Sequence, residues 1–142
     1  MIRAFEETDM DTLVDIWYKG SLQAHHFIEA DYWKSQMEDM KQKYIPMSET
    51  HVLMSPSGIV GFISMVDNYL AALFIDVAHQ NKGAGKELLD FEKNRKSEIH
   101  LKVYKENSSA VRFYEKNGFV VKEELTDEQT KQPEYLMVWS GN

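Results

Sequence analysis

Between Leu70 and Phe91 the chain, LAALFIDVAHQNKGAGKELLDF, changes its hydrophobic period midway. The apolar run Leu70 to Ile75 reads as a buried strand. From Gly83 onward Ala84, Leu88 and Phe91, with Leu89 beside them, recur at helical spacing. A strand, a turn and a helix in succession belong to α/β architectures, where helices cover the faces of a sheet. The turn holds two of the seven glycines, Gly83 and Gly85, flanked by Lys82 and Lys86. Two readings fit. Glycines at a helix start let backbone N–H groups approach phosphate oxygens, or they simply make a tight strand-to-helix turn.

The flanking segments extend the pattern. Ile2 to Phe5 reads as a short strand. Thr8 and Asp11 stand like a capping box before the stripe Met10, Leu13, Val14, Trp17, Ser21 and Ala24. The stretch HHFIEADYW is too irregular to assign, and a second helical pattern, Trp33, Met37, Met40 and Tyr44, is expected to end at Pro46. Two apolar runs flank Pro56, Ser57 and Gly58 as a hairpin, and a third follows Asp67 and Asn68, which implies an antiparallel meander. The strand IHLKVY leads to a helix whose face is Ala110, Phe113, Tyr114 and Asn117, with Asn107 or Ser108 as N-cap and Gly118 as C-cap. FVVKEE and YLMVWS close the chain as two strands. The expected fold is α/β, with a central mixed, mostly antiparallel twisted sheet flanked by about four helices.

Composition narrows the function. At 142 residues the chain is expected to form one domain spanning 1–142. A net charge of −7 opposes phosphate-backbone attraction, so no nucleic-acid partner is expected. With no cysteine there is neither a disulfide nor a cysteine acyl-enzyme. The N-terminus lacks the order of a signal peptide, and the longest apolar stretch is far below the ~20 residues of a membrane helix. The expectation is a cytoplasmic protein with no membrane association. His25 and His26 are adjacent and point apart, while His51, His79 and His100 lack ligand-like spacing, so no metal is expected.

The stretch LFIDVAHQNKGAGKELL resembles the acetyl-CoA loop of the GNAT N-acetyltransferases: Gln or Arg, two residues, Gly, one residue, then Gly or Ala, filled here by Gln80, Gly83 and Gly85. A second signature of that family is similar to Asn107, Ala110, Phe113, Tyr114, Gly118 and Phe119. Element order agrees with the family layout over nearly the whole chain. Ala78 departs from the Pro that many members carry there, a change in turn stiffness only. HHFIEADYW looks like a pattern of small stand-alone bacterial members, some described as protein or peptide lysine N-acetyltransferases.

The resemblance implies direct transfer of an acetyl group from acetyl-CoA to a primary amine in a ternary complex. A peptide or protein lysine or N-terminal amine is favoured over a small amine, amino acid or aminoglycoside. A non-catalytic acyl-CoA-binding module is the rival from another class, and the chain is expected to act as a monomer or homodimer. Coenzyme phosphates would sit on Lys82, Gly83, Ala84, Gly85 and Lys86, with Gln80 in the loop. The pantetheine arm would add to the strand edge at Ile75 and Val77, where N–H and C=O groups are expected to be free, beside Asn107, Ala110 and Phe113. The Val77 region would also face the thioester carbonyl. Tyr114 would be the general acid for the leaving thiolate. Tyr114 also fits an aromatic packed on its helix face, and Asn107 fits either a pantetheine contact or a helix cap. On the acceptor side, His25, Phe27, Glu29, Asp31 and Tyr32 are expected, the two acids attracting a positive amine. His25, Glu29, Asp31 and Asp76 are the candidates for a base.

Overall fold

The computed structural model describes residues 1–141, in which seven strands form one sheet. Its strands are β1 (Ile2–Ala4), β2 (Glu49–Ser55), β3 (Gly58–Val66), β4 (Tyr69–Ile75), β5 (Glu98–Tyr104), β6 (Val120–Thr126) and β7 (Pro133–Ser140). They lie in the order β1-β2-β3-β4-β5-β7-β6. Every neighbouring pair is antiparallel except β4 and β5, which run parallel. The expected meander is β2 to β4.

Four helices cover the sheet: α1 (Met10–Ala24), α2 (Ala30–Asp39), α3 (Ala84–Lys93) and α4 (Ser108–Lys116). Consecutive strand residues point to opposite faces, and the core divides accordingly. Val52 and Phe62 pack with Leu13, Val14, Trp17 and Trp33 of α1 and α2. Their neighbours Leu53 and Ile63 pack with Leu88, Leu89 and Tyr114 of α3 and α4.

Two helix boundaries differ from the sequence expectation. The turn before α1 is organised by Asp9, not by Thr8 and Asp11. The Asp9 carboxylate accepts the Glu6 N–H at 2.8 Å and takes both arms of the Arg3 guanidinium at 2.9 and 3.0 Å. Arg3 thereby holds the Asp9 carboxyl below the usual carboxylate range, and a bidentate pair of this kind outweighs a neutral Thr cap. Pro46 does not end the second helical segment. After α2 the chain widens into a π-helical stretch, Met40–Tyr44, and continues as a helical turn, Ile45–Met47, with Pro46 near its start. The Ile45 N–H reaches back to the Met40 carbonyl, five residues away. That wider turn relieves the carbonyl that a proline ring would otherwise strike in an α-helix.

Candidate active site

The parallel pair β4 and β5 meets at a single register position, Tyr69 opposite His100. There the His100 N–H donates to the Asn68 carbonyl at 2.9 Å, and beyond it the two strands part. The cause lies in β4. Met65 pairs with Leu70 and Ser64 with Ala72, so Ala71 is an extra residue in the strand. An extra residue of this kind bends its strand and raises the local twist.

The opened edge leaves the Ile75 N–H free but not its carbonyl, which Gln80 engages, a correction to the expectation that both are unpaired. The Asp76 N–H donates to the Val60 carbonyl at 2.8 Å, toward β3. By strand alternation the N–H and C=O of Ile75 face the opposite way, into the gap. The Ile75 carbonyl accepts Gln80 Nε2 at 3.2 Å, so Gln80 ties the loop to the strand end. Val77 corrects the sequence expectation: β4 ends at Ile75, and Val77 opens a 3-10 turn, Val77–His79. The turn is pinned by Asp76 and His79, whose side chains meet at 2.9 Å. Val77 is therefore not extended strand.

The gap leads toward the start of α3. Gly83 caps that helix at φ 85°, a left-handed conformation that favours glycine. No side chain caps it, and the first helical bond is Glu87 N–H to the Gly83 carbonyl at 3.0 Å. The N–H groups of Ala84, Gly85 and Lys86 thus have no protein acceptor among the described residues. Gly85 does different work. A Cβ there would stand 3.3 Å from Phe113 Cζ, so its lack of a side chain sets the approach of α3 to α4. Lys82 is exposed, whereas Lys86 Nζ donates to Asp90 at 2.6 Å, which offsets the charge expected to screen phosphate.

Asn107 caps α4, its Oδ1 accepting the Ala110 N–H at 3.2 Å. Its Nδ2 lies 3.2 Å from His25 Nε2. Tyr114 is buried on the α4 face, edge-on to Phe113 and Phe119 with ring centres 5.2 and 5.4 Å away. Burial pushes its phenol above the ordinary value, and Tyr69 adds to the shift. The packing reading of Tyr114 is thus realised in the helix face.

On the α1 and α2 face, a cavity of about 470 Å³ is walled by Trp17, Tyr32, Trp33, Tyr44 and Tyr69, with Ala71 in its lining. Its lining holds no carboxylate. Of the expected acceptor residues, Tyr32 lines it directly. His25 stands behind, its ring 5.2 Å from Trp33 and 5.1 Å from Tyr104, and Phe27 packs on His25 at 5.8 Å. Burial lowers His25 to about 4, so its ring is neutral near pH 7. Glu29 and Asp31 are not brought to the cavity: both are exposed, at the N-cap and first turn of α2. Carboxylates are favourable there against the helix dipole, which accounts for their presence without a substrate. Tyr69, Ala71 and Tyr44 went unassigned as site residues in the sequence because it gives no sign of where β4 bends.

Elsewhere, Glu49, His51 and Glu92 bring their ligand atoms within 4.8 Å of one another. Histidine spacing along the chain does not reveal this group, because β2 and α3 supply its members. Among the described residues no helix is long and apolar enough to cross a membrane.

Comparisons with known proteins agree with this geometry. The acetyltransferase (GNAT) domain family matches residues 15–131. The chain is 26% identical over 140 residues to peptidyl-lysine N-acetyltransferase YiaC of Escherichia coli (strain K12), covering 98% of this chain and 96% of the relative. It is 30% identical over 121 residues to peptidyl-lysine N-acetyltransferase YjaB of the same organism, covering 84% and 82%. The solution structure of apo-form YjaB from Escherichia coli superposes with a TM-score of 0.88 at 26% identity, over 100% of this chain and 98% of that one. A crystal structure from Bacillus anthracis str. Ames, in complex with acetyl coenzyme A, shares the fold over 68% of this chain and 64% of that one, with a TM-score of 0.60 at 21% identity.

Proposed function

This chain belongs to the GNAT acetyltransferase family, and on that footing we propose that it transfers acetyl directly from acetyl-CoA to a lysine side chain or N-terminal amine of a peptide or protein. The observation that carries the reading is the opening between β4 and β5, which runs from the bulge at Ala71 toward the uncapped start of α3. The bare N–H groups of Ala84, Gly85 and Lys86, at the positive end of the helix dipole, suit the coenzyme diphosphate. Ile75 offers its free N–H to a carbonyl of the pantetheine arm. The thioester then lies in the gap, between the buried Tyr114 on one face and the aromatic cavity on the other.

The chemistry follows from these surroundings. The neutral amine nitrogen attacks the thioester carbon and the C–S bond breaks; the sulfur takes a phenol proton, and the proton that the nitrogen releases to solvent restores the phenol. An alkyl ammonium, with a pKa of about 10.4, has to be neutral to attack. An apolar cavity without a carboxylate disfavours the charged form and thereby supplies free amine. Tyr114 is the proton donor for the sulfur. Burial keeps its phenol protonated, so the proton is available when the C–S bond breaks. The lysine preference is supported by the printed names of YiaC and YjaB and by a cavity whose aromatic walls suit an alkyl stem.

The deciding experiment measures thiol release from acetyl-CoA by the purified chain with lysine peptides, N-terminal amines, spermidine and aminoglycosides, together with coenzyme A binding by calorimetry. We expect micromolar-range binding and release that is fastest on a lysine peptide. Absence of coenzyme binding would defeat the reading. Binding without release on any amine would make the chain an acyl-CoA-binding module.

A further inference from the structure

About 14 Å along α3 from Gly83, the helix buries a carboxylate that the acetyltransferase reading does not use. The Glu92 side chain is 0% exposed, and neither of its oxygens has a hydrogen-bond partner. Facing it from β2, His51 Nδ1 is also buried and without a partner. Their separation is 3.8 Å, too long for a hydrogen bond. It is close to the roughly 3.4 Å that separates two ligands each 2.0–2.2 Å from a tetrahedral ion.

Glu49, two residues before His51 on the same strand face, completes the group, with all three ligand atoms within 4.8 Å. Its side chain is 52% exposed, which gives an ion a way in from solvent. One cation already borders the cluster. Arg95 holds both Glu49 oxygens at 3.2 and 3.3 Å but stays 3.7 Å from Glu92, beyond hydrogen-bond reach. Its guanidinium lies against the Phe91 ring at 5.1 Å. A buried carboxylate without hydrogen bonds is costly unless it is neutralised or joined by a cation.

We propose that Glu49, His51 and Glu92 form a divalent-cation site suited to Zn²⁺, distinct from the coenzyme cleft. One imidazole and two carboxylates are a donor set that zinc accepts, with a water as fourth ligand. Arg95 then gives up Glu49 to the ion and remains on Phe91.

The test titrates chelator-treated full-length chain with Zn²⁺ alone at pH 7 by calorimetry, and repeats the titration on His51→Gln, Glu92→Gln and Arg95→Gln. Circular dichroism checks that each variant is folded. The expected result is one equivalent bound by the wild type, an affinity loss of more than ~10-fold in His51→Gln and Glu92→Gln, and tighter binding in Arg95→Gln, where the competing charge is gone. Should Glu92→Gln fail to fold, the more accessible His51→Gln decides. Lack of stoichiometric binding by the wild type overturns the site and leaves Glu92 a buried acid with no ion beside it. Binding that survives His51→Gln also overturns it, because the ion then does not use the imidazole that defines the site. Coenzyme binding plays no part in this readout, so the site and the acetyltransferase reading fail separately.

Discussion

Asn107 Nδ2 stands 3.2 Å from His25 Nε2, joining the cap of α4 to the end of α1 across 82 residues of sequence. The other end of the same amide is committed, since Asn107 Oδ1 accepts the Ala110 N–H. Nδ2 is therefore the donor, and His25 Nε2 must accept. The ring is neutral, with its proton on Nδ1, and protonation would set two donors face to face.

That arrangement sets an acid limb for stability. His25 ordinarily titrates at 6.5 and is lowered by burial to about 4 in the folded chain. Above pH 6.5 neither state binds the proton and the contribution is constant. As pH falls from 6.5 to about 4 the unfolded chain takes up a proton that the folded chain refuses, so stability declines, by up to about 3 kcal/mol. Urea unfolding of wild type and His25→Phe between pH 4 and 8 checks this. The variant should lose most of the decline, and equal slopes in both proteins would remove His25 from it.

Tyr114→Phe keeps the ring and its contacts with Phe113 and Phe119 while deleting the hydroxyl. We expect coenzyme A affinity within about twofold of wild type and turnover lower by ~10²–10⁴-fold. Steady-state kinetics beside calorimetry separates the two quantities. Unchanged turnover would leave Tyr114 as packing alone.

Gly83→Ala probes the helix start without a clash, because a Cβ there has nothing within 4 Å. The penalty is the left-handed backbone, about 1 kcal/mol. Gly83→Asn should recover part of it, since Asn tolerates that conformation. Denaturant midpoints measure both. A loss in Gly83→Ala that Asn does not relieve would point to a contact instead of backbone strain.

Much of this layout was legible in the residues, and the failures share a cause. The apolar runs of β2, β3 and β4, bounded by turn residues, and the period of α3 and α4 are local, and the elements form where those patterns run. Asn107 likewise capped α4 through a contact three residues away. What the chain does not spell out locally is what distant segments impose on it. The bulge at Ala71 is set by the register of Leu70 and Ala72 against β3, and an alanine in an apolar run carries no mark of it. Pro46 looked like a stop because the π turn that accommodates it is not a sequence pattern. Glu29 and Asp31 invite an acceptor reading because acidic residues near aromatics suggest an amine, and the structure sets both, exposed, at the start of α2 and outside the cavity lining. His51 and Glu92 met only through the packing of α3 on the sheet.

The cavity beside Ala71 admits a test that spares the coenzyme. Gln36 lies on α2, partly exposed, and its side chain lines the cavity without belonging to the buried core. Gln36→Trp fills part of the 470 Å³ with an indole, leaving Ile75, Gly83 and Tyr114 untouched. If the amine enters through this cavity, its KM should rise by roughly tenfold, the loss of about 1.4 kcal/mol of acceptor binding. Coenzyme A affinity should stay as in wild type, because the start of α3, where we propose that the diphosphate binds, does not line this cavity. A matched loss of coenzyme affinity would mean that the indole distorts β4. An unchanged acceptor KM with lysine peptides would mean that the amine approaches Tyr114 by another route.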